Sequence, residues 1–132
     1  MDKIEHIGIA VKNLEQSNKI FSSLFNKENY KVEEVLSEDV RTSFFQIGPN
    51  KIELLEASNP NSAIAKFIDK KGEGIHHIAF SVENITNEIE RLKKLGFHIL
   101  SDKPKKGADN KLVAFVHPKT ANGVLIELCQ DI

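Results

Sequence analysis

Two stretches of this chain repeat each other: His6-Ile-Gly-Ile-Ala-Val-Lys-Asn-Leu14 and His77-Ile-Ala-Phe-Ser-Val-Glu-Asn-Ile85, each followed later by an Ile-Glu-Leu triplet, at Ile52-Glu53-Leu54 and Ile126-Glu127-Leu128. The offset is 71 from His6 to His77 and from Asn13 to Asn84, and 74 from Glu53 to Glu127. A drift of three is the size of one loop-length difference, so the copies share strand order as well as local sequence. Whatever one copy folds into, the other must fold into as well. The repeat also sets two histidines and two carboxylates in matching places, and these are ligand types for a divalent transition metal.

With 132 residues, 40% of them apolar, the chain has the size and core of one domain. We read residues 1–132 as a single domain: module one over about 1–58, a linker helix over about 59–73 and module two over about 74–132. Eighteen basic and 19 acidic residues give a net charge of −1, which argues against a nucleic-acid surface or a polybasic membrane anchor. Cys129 is the only cysteine, so no internal disulfide forms and a reducing compartment suits the chain. Met1-Asp-Lys-Ile-Glu5 is charged where a signal peptide builds its apolar core, and no apolar run reaches spanning length. The expectation is a cytoplasmic protein without a membrane partner.

Each copy begins with period two and continues with a helical period. Ile7, Ile9 and Val11 alternate as in a half-buried strand, and Ile20, Phe21, Leu24 and Phe25 then follow helical spacing behind an Asn13 cap with Gln16 three residues on. In the second copy Ile78, Phe80 and Val82 alternate, and Ile85, Ile89 and Leu92 form a helical stripe ending at Gly96. Three more strands are predicted in each copy: Tyr30–Leu36, Arg41–Ile47 and Lys51–Ala57 in the first, Phe97–Ser101, Leu112–His117 and Val124–Cys129 in the second. Between them, Ile64, Phe67 and Ile68 mark a short linker helix.

Alternation says where the polar groups point. If Ile7, Ile9 and Val11 pack under the helices, His6, Gly8 and Ala10 share the other face, and His77, Ala79 and Ser81 do the same in the second copy. A strand face with one imidazole and two very small side chains leaves space that a packed core does not tolerate. Glu53 and Glu127, each flanked by apolar neighbours, turn away from the helices too. A lone strand histidine is most often structural, and a glutamate among apolar neighbours is most often solvated on an open face. Recurrence of both residue types in both copies favours a metal site.

These elements resemble the vicinal oxygen chelate superfamily, which includes glyoxalase I, extradiol dioxygenases, antibiotic-resistance binding proteins and methylmalonyl-CoA epimerase. Lys51-Ile-Glu-Leu-Leu-Glu56, Gly74-Ile-His-His-Ile-Ala79, Lys106-Gly-Ala108, and His117-Pro-Lys119 followed by Gly123-Val-Leu-Ile-Glu-Leu128 are most similar to the epimerase family. The resemblance implies an α+β fold of tandem βαβββ modules, glyoxalase-like, forming a curved, cleft-bearing mixed sheet with helices on the outer face. It implies that His6, Glu53, His77 and Glu127 fall on metal-ligand positions. The metal implied is a divalent transition ion, cobalt favoured, with nickel, manganese, iron or zinc as alternatives. The reaction implied is interconversion of (2R)- and (2S)-methylmalonyl-CoA through a metal-stabilised thioester enolate, on an acyl-CoA partner and in a homodimer.

Such a reaction removes a proton from carbon 2, which lies between a thioester and a carboxylate, and returns one to the opposite face. Glu127 is the first choice for one proton carrier and Glu53 for the other. Some epimerases place an acid on the third strand of the first module, where this chain has Thr42, and some carry glutamine at the place of Glu53. His76 points opposite to His77 and is read as packed, and His98 as a surface residue. His117 belongs to a family motif and is assigned no chemistry. Lys105, Lys106, Lys111 and Lys119 form a basic cluster that could meet the phosphates of coenzyme A. Two rivals use the same fold: a glyoxalase I-type lactoylglutathione lyase, or an extradiol dioxygenase using two histidines and one glutamate. A third is a non-catalytic small-molecule binding protein.

Overall fold

A computed structural model describes all 132 residues. Its eight strands and three helices follow the repeat: β1 (Lys3–Ala10), α1 (Leu14–Phe25), β2 (Lys31–Val35), β3 (Val40–Ile47) and β4 (Asn50–Ala57); then α2 (Ala63–Lys71); then β5 (Gly74–Ser81), α3 (Ile85–Lys94), β6 (Lys105–Lys106), β7 (Lys111–Val116) and β8 (Ile126–Asp131). This is the expected α+β arrangement of tandem βαβββ modules joined by a helix.

The chain divides into two compact units, one of His6–His76 and one of His77–Ile132 with Met1–Glu5. In the first, hydrogen-bonded neighbours run β2-β3-β4-β1, with β4 parallel to β1 and the other pairs antiparallel. In the second they run β5-β8-β7-β6, again with one parallel pair, β5 and β8. Parallel neighbours need a crossover, and the helix of each module supplies one.

The module helices α1 and α3 start at matching asparagines. Asn13 Oδ1 accepts from the Gln16 amide and Asn84 Oδ1 from the Asn87 amide, both at 3.0 Å. The starts of α1 and α3 are also tied to the last strand of their own module. Glu56 Oε2 accepts from the Leu14 amide at 2.8 Å, and Gln130 Oε1 accepts from the Ile85 amide at 2.7 Å. The strand-to-helix turns are secured alike, Val11 N donating to Leu55 O and Val82 N to Cys129 O. These paired ties hold the helices over one face of each sheet. There Leu14, Phe21 and Phe25 pack with Phe45 and Leu54 in one unit, and Ile85, Ile89 and Leu92 pack with Ala114, Val116 and Leu128 in the other. Burial of each such side chain contributes about 1.5–3 kcal/mol.

One predicted strand is not formed. Phe97–Ser101 makes a single bridge, Ile99 to Val116, and the edge strand of module two is the two-residue β6. The alternation was real, because Phe97 and Ile99 do turn into the α3 core. Only two backbone hydrogen bonds follow, Leu100 N to Phe115 O and His117 N to His98 O, before the chain leaves toward Pro104, which has no amide to donate.

Candidate metal and proton-transfer site

Register places each glutamate beside a histidine. In the parallel pair β1 and β4, Glu53 lies opposite Gly8, two residues along from His6 on the same face. The His6 Nδ1 to Glu53 Oε2 distance is 3.0 Å. In β5 and β8, Glu127 lies opposite Ala79, two residues from His77, and His77 Nε2 is 3.4 Å from Glu127 Oε1. The small residues Gly8 and Ala79 are what let a carboxylate lean across to the neighbouring strand. All four side chains are buried, His6 and Glu53 at 4% exposure, His77 at 5% and Glu127 at 7%. Ionised carboxylates kept from water need charged or donor partners, and an imidazole beside a carboxylate is a donor set that suits a divalent cation.

Aromatic rings occupy matching places. Phe44 is opposite Glu53 and Phe115 opposite Glu127, and the Phe115 ring meets His77 edge-on, with centroids 6.1 Å apart. The edge-on contact fixes the orientation of the His77 ring. The two glutamates differ in one respect. Cys129 Sγ donates to Glu127 Oε2 at 2.7 Å, whereas the matching position in module one is Leu55. Two residues apart on one strand, Glu127 and Cys129 share a face, so alternation alone held the clue. Beyond Cys129 the same unit holds a cavity of about 370 Å³ whose walls include Lys3, Ser81, Lys111, Cys129 and Asp131.

The remaining singled-out residues fall outside these pairs. His76 packs edge-on against Phe67 of α2 at 5.0 Å, and burial pushes its imidazole down to about 4. His98 is exposed and stacks on His117 at 5.0 Å, while His117 Nδ1 accepts from the Lys119 amide. Of the four lysines in the basic cluster, Lys111 is engaged by Asp131, while Lys105, Lys106 and Lys119 are exposed. No helix is long and apolar enough to cross a membrane.

Comparison with known families decides the broader placement. A model described as the Glyoxalase/Bleomycin resistance protein/Dioxygenase superfamily matches residues 5–115. The chain belongs to this superfamily. Among superfamily relatives, it is 38% identical over 130 residues to an ethylmalonyl-CoA/methylmalonyl-CoA epimerase of Cereibacter sphaeroides, covering 97% of each chain. It is 35% identical over 131 residues to the mitochondrial methylmalonyl-CoA epimerase of Homo sapiens, covering 98% of this chain and 74% of that one. A solved structure, a variant of Streptomyces coelicolor methylmalonyl-CoA epimerase in complex with 2-nitronate-propionyl-CoA, superposes with a TM-score of 0.95 at 31% identity, over 99% of this chain and 95% of that chain. The superfamily fold implied by the resemblance is therefore the fold observed.

Proposed function

We propose that this protein is a methylmalonyl-CoA epimerase, and that His6, Glu53, His77 and Glu127 together hold its divalent transition metal. The observation that carries the reading is the duplicated buried contact, His6 with Glu53 and His77 with Glu127, in a chain alike along nearly its whole length to enzymes of that name. A binding protein without chemistry has no use for two such contacts, whose carboxylates are costly to bury. A divalent cation at this site would supply Lewis acidity, drawing charge toward the substrate oxygens as the carbon 2 proton leaves.

The protein's own groups handle the proton. A carboxylate of the pair Glu53 and Glu127 takes it from carbon 2, and the electron pair of that bond passes into the thioester carbonyl. The other carboxylate, already protonated, delivers its proton to the opposite face, which inverts the centre. Each carboxylate serves as base in one direction and acid in the other. Burial of both glutamates and both histidines keeps bulk water away from the reacting carbon. The homodimer and cytoplasmic setting implied by the resemblance belong to the same proposal.

The test is incubation of metal-loaded protein with methylmalonyl-CoA in deuterated water, with the carbon 2 proton followed by NMR. Catalysed loss of that signal is expected, and its absence rejects the epimerase reading. Glutathione hemithioacetal as substrate tests the lyase alternative in the same apparatus.

A further inference from the structure

Two adjacent hydroxyls on β3 are equally buried and differently served. Ser43, 0% exposed, donates to Asn18 Oδ1 of α1 at 2.5 Å. Thr42, 1% exposed, faces the other way, and its Oγ1 has no hydrogen-bond partner in the protein. A buried hydroxyl left unpaired is destabilising, and folds rarely retain one without a use.

Register identifies the surroundings of Thr42. On β3 and β4, Thr42 lies opposite Leu55 and Phe44 lies opposite Glu53, which makes Thr42 the diagonal neighbour of Glu53 on one face, a spacing of about 7–8 Å, less between Cβ atoms. The repeat supplies an internal control. The residue 71 further on is Val113, opposite Cys129 and two residues from Phe115, which faces Glu127. Val113 is buried and packs with Ala79, Phe115 and Cys129. Threonine and valine share a β-branched shape. Both copies therefore need that shape at this point of the sheet, and only the first carries a hydroxyl on it.

We propose that Thr42 Oγ1 is a hydrogen-bond donor to the bound acyl thioester, to a carboxylate or thioester oxygen seated between it and Glu53. The proposal rests on the epimerase reading and deepens it by naming a residue that positions the substrate. An ionised Glu53 accepts and cannot donate, so Thr42 Oγ1 adds a neutral donor beside the His6–Glu53 contact. Because Val113 offers nothing equivalent, the hydroxyl also makes the two modules chemically different to a ligand and selects one binding orientation for an asymmetric thioester.

Thr42→Val and Thr42→Ser are compared with wild type by urea unfolding without ligand, by calorimetric binding of methylmalonyl-CoA and by kcat/KM. Thr42→Val is expected to unfold at higher urea than wild type, because the orphan hydroxyl is gone, while binding or kcat/KM falls by roughly 10–100-fold, the range for a hydrogen bond to a charged acceptor. Thr42→Ser is expected to restore activity to near the wild-type level. Unchanged binding and kcat/KM in Thr42→Val overturn the proposal, and so does a loss of unliganded stability that accompanies the loss of activity. Wild type that neither binds nor exchanges methylmalonyl-CoA rejects the functional reading as well, so the two failures are told apart.

Discussion

His76 is expected to make the stability of this fold depend on pH in a way that a single substitution removes. Its ring is packed against Phe67, and burial lowers its imidazole from 6.5 to about 4. The folded state therefore resists a proton that the unfolded chain accepts. Stability from this group is fully present above pH 6.5 and is lost as pH falls toward 4, because over that window the unfolded state binds more protons. Between pH 7.5 and pH 5 the linkage amounts to about 2 kcal/mol, from 1.36 kcal/mol for each pH unit by which the two states differ in affinity. A loss of that size is a large fraction of a domain's stability. Urea unfolding of wild type and His76→Gln at intervals from pH 7.5 to pH 5 reads it directly. Carboxylates that titrate over the same range act on both proteins, so the quantity of interest is the difference between the two curves. That difference is expected to shrink by about 2 kcal/mol toward pH 5, whatever the substitution costs at neutral pH. Parallel curves would refute the reasoning, and the packing of His76 would then carry no proton linkage.

Glu127→Gln keeps the shape of the side chain while removing its capacity to carry a proton, and deuterium incorporation at carbon 2 is expected to slow by roughly 10²–10⁴-fold; an unchanged rate excludes Glu127 as a proton carrier. Glu53→Gln separates the second role, because full epimerising activity in that variant eliminates Glu53 as a base. Gly107→Ala would bring a Cβ to 3.0 Å from Val113 Cγ2, and a loss of about 1–3 kcal/mol in urea unfolding is expected from the overpacking.

Local rules and repetition carried much of the fold into the sequence. Asn13 and Asn84 cap helices where their spacing predicts, and alternation put Ile9 and Val11 under α1. What the sequence hid depends on partners far along the chain. Phe97 and Ile99 alternate like a strand, yet their backbone meets β7 at one bridge, because pattern reports which side a residue faces and not whether a neighbour is there to pair. The ties from Glu56 to Leu14 and from Gln130 to Ile85 need register to be seen. The same holds for the two histidine–glutamate contacts: alternation put each partner on the right face, and the parallel pairing of β1 with β4 and of β5 with β8 set the distance. The bare hydroxyl of Thr42 is legible only once every neighbour has been asked for a hydrogen bond.

Each histidine meets its glutamate inside its own copy, so a substitution at one contact has no automatic counterpart at the other. A half-length chain that paired with itself would show every mutation twice, and a gain on one face of the substrate would be tied to whatever the same change did on the other. Fusion into one gene removes that tie. Threonine at 42 with valine at 113, and leucine at 55 with cysteine at 129, are differences that a self-paired half-length chain could not hold, and they let the two copies carry different side chains at matching places.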